Sequence, residues 1–319
     1  MKRYLMMTAA ALMTLCAAAQ LKPEYMVKPQ EPKSDFVATI NPDIPSSVTF
    51  CGEKVSFDRL DMADRLDREL TSLIYGHTSS LLCLKRANRY FPALSRILRD
   101  QGVPQDILYL ACTESTMDPA AYSTASAAGT WQLLAATGRQ YGLQVDDEVD
   151  ERYDPELSTV AACKYLKAAY ARYGNWATVA ASYNAGMGRI TSELSKQGEN
   201  TSFNLYLNKE TSRYVFRIIA FKLFMENPKK YGYRLKRSQL YQPVAYTTEN
   251  VSGAVDSWIA WAKAHKITYA QLREANPWIR ASKLTNKNGK TYRVRIPVEN
   301  ELYRSKRKNT VFNTNWVVD

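Results

Sequence analysis

Residues 106–119 read DILYLACTESTMDP, an apolar run that closes on a glutamate and then on a proline. The run predicts a short buried helix from about Asp106 to Glu114. Pro119 blocks its continuation, because a proline pushes the residue before it, here Asp118, out of helical geometry. Upstream, Leu60, Ala63, Leu66, Leu70, Leu73 and Ile74 recur at three- and four-residue steps, as one buried helix face requires. Leu84, Ala87, Phe91, Leu94, Ile97 and Leu98 repeat that pattern before Gly102 and Pro104 break it. Downstream, Asp154-Pro155 is an N-cap and first-turn pair and Gly174 the matching stop. Further helices are expected over about Ala177 to Ala185, ending at Gly186 and Gly188, and from Thr211 to Met225 before Asn227-Pro228. Residues 55–230 sustain no strand-like alternation, so the domain they form, placed at 46–233, is mainly α.

Past Tyr233 the periodicity changes. Val244 to Thr248 and Tyr292 to Ile296 read as strands, and Asp256 to Ala264 and Tyr269 to Ala275 as short helices between them. This is a βααβ unit over 244–298, small for an independent core. Residues 299–319 carry Arg304, Lys306, Arg307 and Lys308 and read as a solvated basic tail.

The other end reads as an address. Lys2 and Arg3 precede an apolar stretch from Tyr4 to Leu15, and Ala17, Ala18 and Ala19 lead into Gln20, the pattern of a secretion signal cleaved near Ala19. The stretch is short for a bilayer span. Cys16 would suit lipidation, but Leu15 stands where such sites want a small side chain, so an exported, periplasmic protein is expected in preference to a lipoprotein. The prolines of residues 20–45 make an extended lead-in. Export bears on the net charge of +12. Basic proteins attract nucleic acid, anionic membranes or acidic wall polymers alike, and an exported one does not meet nucleic acid.

Cys51, Cys83, Cys112 and Cys163 lack metal-ligand spacing, and the chain has only two histidines, His77 and His265. That composition leaves little material for a zinc hydrolase or a Ser-His-Asp triad, and neither metal nor cofactor is expected. The four thiols could pair in an oxidising compartment; Cys112 and Cys163 sit in apolar helical runs that equally suit buried free thiols.

Glu114 lies where its helix ends, near unpaired carbonyls that carry partial negative charge. The helix dipole and burial both disfavour its ionised form and would keep it a neutral acid near pH 7, the form that protonates a leaving oxygen. Taken locally, a plain surface glutamate at a helix end is the favoured reading. The wider string decides. Glu114-Ser115-Thr116-Met117-Asp118-Pro119 is followed by Ala121-Tyr122-Ser123, by Ala128-Gly129-Thr130-Trp131-Gln132-Leu133, by Ala181-Ser182-Tyr183-Asn184-Ala185-Gly186-Met187-Gly188, and by Glu210-Thr211-Ser212-Arg213-Tyr214.

This series resembles the catalytic domain of lytic transglycosylases of the soluble-lytic-transglycosylase type and, within that family, the membrane-bound lytic murein transglycosylase D group. The resemblance covers about residues 80–230. It implies a lysozyme-like (goose-type) helical fold and cleavage of the β-1,4 bond from N-acetylmuramic acid to N-acetylglucosamine, leaving a 1,6-anhydro end. It also implies Glu114 as acid and base, with Ser123, Gln132, Tyr183, Asn184 and Tyr214 holding sugar or orienting that acid. Met117, Ser126, Thr130, Ala136 and Ser182 depart from the family's usual residues at loop and packing positions. The implied partner is the glycan strand of peptidoglycan; a monomer is favoured and outer-membrane association is left open. Two other readings compete: a lysozyme-type muramidase on the same fold, and a wall-binding protein that has lost the reaction.

The C-terminal unit resembles a LysM module in Tyr246-Thr247-Thr248, in residues 264–277 and in Arg295-Ile296-Pro297. It is degenerate, with Glu249-Asn250-Val251-Ser252 where the family has Gly-Asp-Thr-Leu. Asp146, Asp147, Glu148, Asp150 and Glu151 read as a solvated acidic loop leading into the Asp154 cap, and Asp118 as a local turn former. Trp131, Tyr165, Tyr170, Tyr173 and Trp176 read as packing residues, and His265 as structural.

Overall fold

The computed structural model describes residues 41–304 and 308–319; the leader, Cys16 and most of the extended lead-in lie outside the described residues. A hairpin comes first, β1 (Ser47–Phe50) against β2 (Glu53–Ser56). Sequence reading gives no sign of it, because each strand has four residues and the turn residues are Cys51 and Gly52. Both have positive φ, 53° and 86°, the pair of left-handed residues that a two-residue hairpin turn needs.

Helices then dominate, as expected. They are α1 (Leu60–Tyr75), α2 (His77–Asp100), α3 (Leu108–Ser115), α4 (Ala135–Gln140), α5 (Pro155–Tyr173), α6 (Trp176–Ala185), α7 (Met187–Gln197) and α8 (Lys209–Glu226). The Asp154 side chain accepts from the amides of Glu156 and Leu157 with Pro155 at the first helical position, and Gly174 closes α5 at φ 66°. The apolar steps of α1 and α2 are buried at Leu66, Leu70, Ile74, Leu84, Ala87, Phe91, Leu94 and Leu98, in one hydrophobic core with α3, α5, α6 and α8. Two helices go beyond the sequence reading. α4 has six residues, too few to show a period, and α7 buries only Ile190.

The second cluster belongs to the βααβ unit. β3 (Tyr246–Val251) pairs antiparallel with β4 (Tyr292–Pro297), enclosing α9 (Trp258–Ala264) and α10 (Tyr269–Ala275). Thr268 and Gln271 make a reciprocal capping box at the start of α10. The Trp258, Leu272, Trp278, Ile279, Tyr292 and Val294 side chains form its core. His265 stacks on Trp261 at 3.7 Å and meets Glu249 at 2.8 Å, a structural placement.

Three sequence expectations are corrected. The acidic stretch is a solvated loop only at Asp146 and Asp147, which are exposed, while Asp150 and Glu151 are buried. It is the seat of the C-terminal unit: Val149 is fully buried in that unit's core, and the Asp150 amide donates to Trp278 O at 2.9 Å. Glu148 accepts from the Arg280 and Thr285 amides, Glu151 pairs with Lys290, and Arg295 bridges Asp154 at 2.6 Å and Glu156 at 3.2 Å. Basic groups on the module balance those acids, so desolvation is offset by pairing.

The basic tail is not a free end either. Arg304 and Lys308 are exposed, but Phe312 and Trp316 pack edge-on against Phe91, and the Trp316 indole, 1% exposed, donates to Met225 O at 2.5 Å. Asn88 clasps the same segment, accepting from the Phe312 amide and donating to Thr310 O. The aromatic residues, not the charges, decide the tail's fate. Third, Tyr170 is not core: it is 39% exposed and stacks on Trp176 at 4.7 Å. Among the four described cysteines none is paired, and Cys83, Cys112 and Cys163 are buried.

Candidate active site

The last turn of α3 carries Glu114. The helix stops at Ser115, one residue past it, because Thr116 and Met117 both take positive φ, 49° and 60°. Two consecutive non-glycine residues in that region are costly, and their surroundings hold them there. Met117 is fully buried, Arg86 reaches Thr116 Oγ1 at 3.2 Å and Asp118 at 2.6 Å, and Asp118 Oδ1 accepts from the Ala120 amide. Asp118 therefore does the turn-forming work expected of it and ties the turn to α2.

The loop at 121–133 is laced to itself beside this turn. Gly129 (φ 78°) donates to Ala121 O, and a Cβ at Gly129 would lie 1.9 Å from Arg152 O, so only glycine fits. Ser115 Oγ donates to Thr130 O at 2.8 Å, joining α3 to the loop. Trp131 is fully buried with its indole donating to Thr159 Oγ1 at 2.7 Å, a packing role as expected. Arg152, paired with Asp150, donates to Ser126 O and Leu133 O and holds the loop from beneath.

From the opposite side α8 presents Tyr214, whose hydroxyl donates to Glu114 Oε1. Burial pushes the Glu114 carboxyl up to about 7; the Tyr214 bond and the Arg217 charge pull it back down, and Glu210 adds a small push upward. The desolvation cause is the one foreseen from sequence. Tyr183 on α6 donates to Trp131 O at 2.8 Å and feels the Glu114 charge; burial holds its phenol, like that of Tyr214, well above the ordinary range.

The residues singled out by sequence thus fall into two groups. Glu114, Tyr183 and Tyr214 share one electrostatic neighbourhood. Asn184 binds α8 instead, accepting from Thr211 Oγ1 at 2.9 Å and donating to Glu210 at 3.4 Å. Ser123 Oγ accepts from the Ala127 amide, and Gln132 (φ 46°) donates to Gly129 O and Ala121 O. Both hold the loop, and no bond joins either to Glu114. Arg217 and Glu210 were missed. Glu210 stands in the motif that ends at Tyr214 without a role read from it, and the only sequence signal of Arg217 is its position three residues after Tyr214 on the same helix. Among the described residues no cluster of metal-ligating side chains occurs, and no helix is long and apolar enough to cross a membrane.

The site thus holds a part-buried carboxyl that closes an apolar helix and is bonded to a tyrosine of a distant helix, and comparisons with known proteins bear on the domains around it. Residues 93–205 match the family described as Transglycosylase SLT domain, and residues 247–300 match the Soluble lytic transglycosylase C-terminal LysM-like domain. The chain carries both domains. Among curated proteins it is similar to Membrane-bound lytic murein transglycosylase D of Escherichia coli K12, 35% identical over 155 residues, covering 47% of this chain and 34% of the relative. Peptidoglycan transglycosylase gp16 of Escherichia phage T7 is 38% identical over 92 residues, covering 28% of this chain and 7% of the relative. The chain thus spans about a third of the length of the first of these and far less of the second. Of solved structures, an inactive mutant of lytic transglycosylase Slt from Pseudomonas aeruginosa aligns with TM-score 0.37 and 22% identity, over 44% of this chain and 25% of that one. The 70 kDa soluble lytic transglycosylase of Escherichia coli aligns with TM-score 0.39 and 19% identity, over 53% and 31%.

Proposed function

We propose that this protein is a peptidoglycan lytic transglycosylase of lysozyme-like fold, cutting the β-1,4 bond between N-acetylmuramic acid and N-acetylglucosamine, with Glu114 as its acid and base. The observation that carries the reading is the carboxyl at the end of α3, bonded to Tyr214 and pushed by burial up to about 7, so that a large share is neutral near pH 7 and it can still ionise during the reaction. Tyr214 donates to Oε1, so the acid proton belongs on Oε2, free to pass to the bridging oxygen as the glycosidic bond breaks.

Positive charge then builds at the anomeric carbon. Glycosidases commonly meet it with a second carboxylate. The carboxylate that acts electrostatically on Glu114, that of Glu210, is engaged by Asn184. The substrate's own N-acetyl oxygen fills the role of nucleophile in this reading. Ionised Glu114 next takes the proton of the C6 hydroxyl, whose oxygen displaces the N-acetyl oxygen from the anomeric carbon and closes the 1,6-anhydro ring, so the acetamide is restored and no water is consumed. Tyr183 and Tyr214 position the acid, and Ser123, Gln132 and Asn184 shape the loop and helix end beside it. Export to the periplasm fits the leader, and the +12 charge fits an acidic wall polymer.

Mass spectrometry of muropeptides released from purified peptidoglycan tests this. Anhydro ends, lighter by one water than reducing ends, are expected. Reducing ends alone would establish a muramidase, and no release would leave a binding protein.

A further inference from the structure

Glu69 lies on α1, packed against α8, with its side chain almost wholly buried. Three guanidinium groups converge on it. Arg213 reaches Oε1 at 2.6 Å and Oε2 at 3.3 Å, Arg217 reaches Oε2 at 3.2 Å, and Arg68 reaches Oε1 at 3.2 Å. One guanidinium neutralises one carboxylate, so the cluster carries two surplus positive charges. The arginine side chains are only part-covered, 25% exposed for Arg213 and 33% for Arg217. Glu69 holds Arg213 through Nε and one Nη and Arg217 through Nε. Among the described residues the other Nη of Arg213 and both Nη groups of Arg217 have no protein acceptor.

Packing three like charges around one acid works against stability unless something else uses them. The cluster sits on the helix whose Tyr214 hydroxyl bonds Glu114. Arg213 and Arg217 flank Tyr214 on α8, and the Arg217 charge acts on Glu114 itself. A planar donor fork with free N–H groups is suited to carboxylate. We infer that Arg213 and Arg217, oriented by Glu69, form a carboxylate-binding subsite beside Glu114 that takes the free carboxylates of peptide stems on the glycan. The enzyme then prefers stem-bearing strands over stripped ones. This rests on the proposed reaction for its substrate, though the anion site itself does not require turnover.

Three chemically matched glycan oligosaccharides test it: bare, bearing free-acid stem peptides, and bearing stems whose carboxylates are amidated. Binding is measured by calorimetry on Glu114→Gln, alone and combined with Arg213→Gln or Arg213→Lys; turnover is measured on the protein with Glu114 intact. Glu114→Gln is expected to bind the free-acid ligand about tenfold more tightly than the amidated one. Adding Arg213→Gln should abolish that ratio, and Arg213→Lys should restore part of it, since lysine keeps charge without the fork. Equal binding of free-acid and amidated ligands overturns the subsite, even if all three are cleaved. A ratio that survives Arg213→Gln also overturns it. Preferential binding without turnover of any of the three overturns the proposed reaction and leaves the subsite standing.

Discussion

The hydroxyl of Tyr214 donates to Oε1 of Glu114, joining the first turns of α8 to the last turn of α3 across 100 residues of sequence. The bond fixes Oε1 as acceptor and leaves Oε2 outside it. It also opposes burial: it lowers the Glu114 pKa where desolvation raises it. Removing it in Tyr214→Phe therefore raises that pKa further. With a neutral acid required, the rate should fall as pH rises through about 7 in the native protein. In Tyr214→Phe that falling limb is expected at higher pH, with the maximal rate lower by roughly tenfold as orientation is lost. A pH profile of muropeptide release for both proteins checks it; a limb that stays put removes Tyr214 from the titration.

Glu114→Gln is expected to reduce turnover about a hundredfold or more, as loss of a general acid does. The same change should stabilise the fold. A carboxyl whose pKa is raised in the native state binds its proton more tightly there than when unfolded. It costs nothing below the ordinary carboxylate range, and the cost grows as pH climbs to about 7, above which it is complete. Glutamine never ionises. Urea denaturation should show Glu114→Gln more stable than the native protein by on the order of 2–3 kcal/mol at pH 8, with no such gain at pH 4. An equal gain at both values would mean that ionisation is not the source.

Trp316 fills the core beside Phe91 and bonds Met225 O. Trp316→Ala should cost about 3–5 kcal/mol, the usual range for deleting a buried aromatic. The loss should appear in the unfolding midpoint of the helical domain. Lys308→Ala, at an exposed position, should leave that midpoint where it is.

Arg295 joins β4 to the Asp154 cap of α5 at 2.6 Å. Arg295→Met leaves a buried acid without its partner, a loss of about 3 kcal/mol. Hydrogen exchange should quicken at the amides of Gln144 to Asp150 and along β4. Unchanged protection at both places would show the module seated by apolar contacts alone.

The helices that sequence made legible are those with long apolar periods and explicit punctuation. Asp154, Pro155 and Gly174 mark α5 to the residue, and Tyr269 to Ala275 was delimited correctly. What escaped was either too short to repeat, as in α4 and the hairpin at 47–56, or weakly buried, as in α7. At the site, motif order singled out Glu114, Tyr183 and Tyr214, and burial gave the direction of the acid's shift. Sequence could not tell that Ser123 and Gln132 would spend their polar atoms on their own loop, because those bonds depend on loop geometry. The acidic stretch misled for a related reason. Charge density reads as solvated until the opposing Lys290 and Arg295, about 140 residues later, are folded against it.

The return of residues 310–318 to the helical core means that the βααβ unit is an inserted passenger whose two ends are both moored to one body. Such a unit cannot be clipped off from behind like a bead from a string. Cutting the chain after residue 298 would also uncork the socket that Trp316 plugs. Exchange of this module between proteins therefore has to carry the plug with it, or the recipient must fill the hole with side chains of its own.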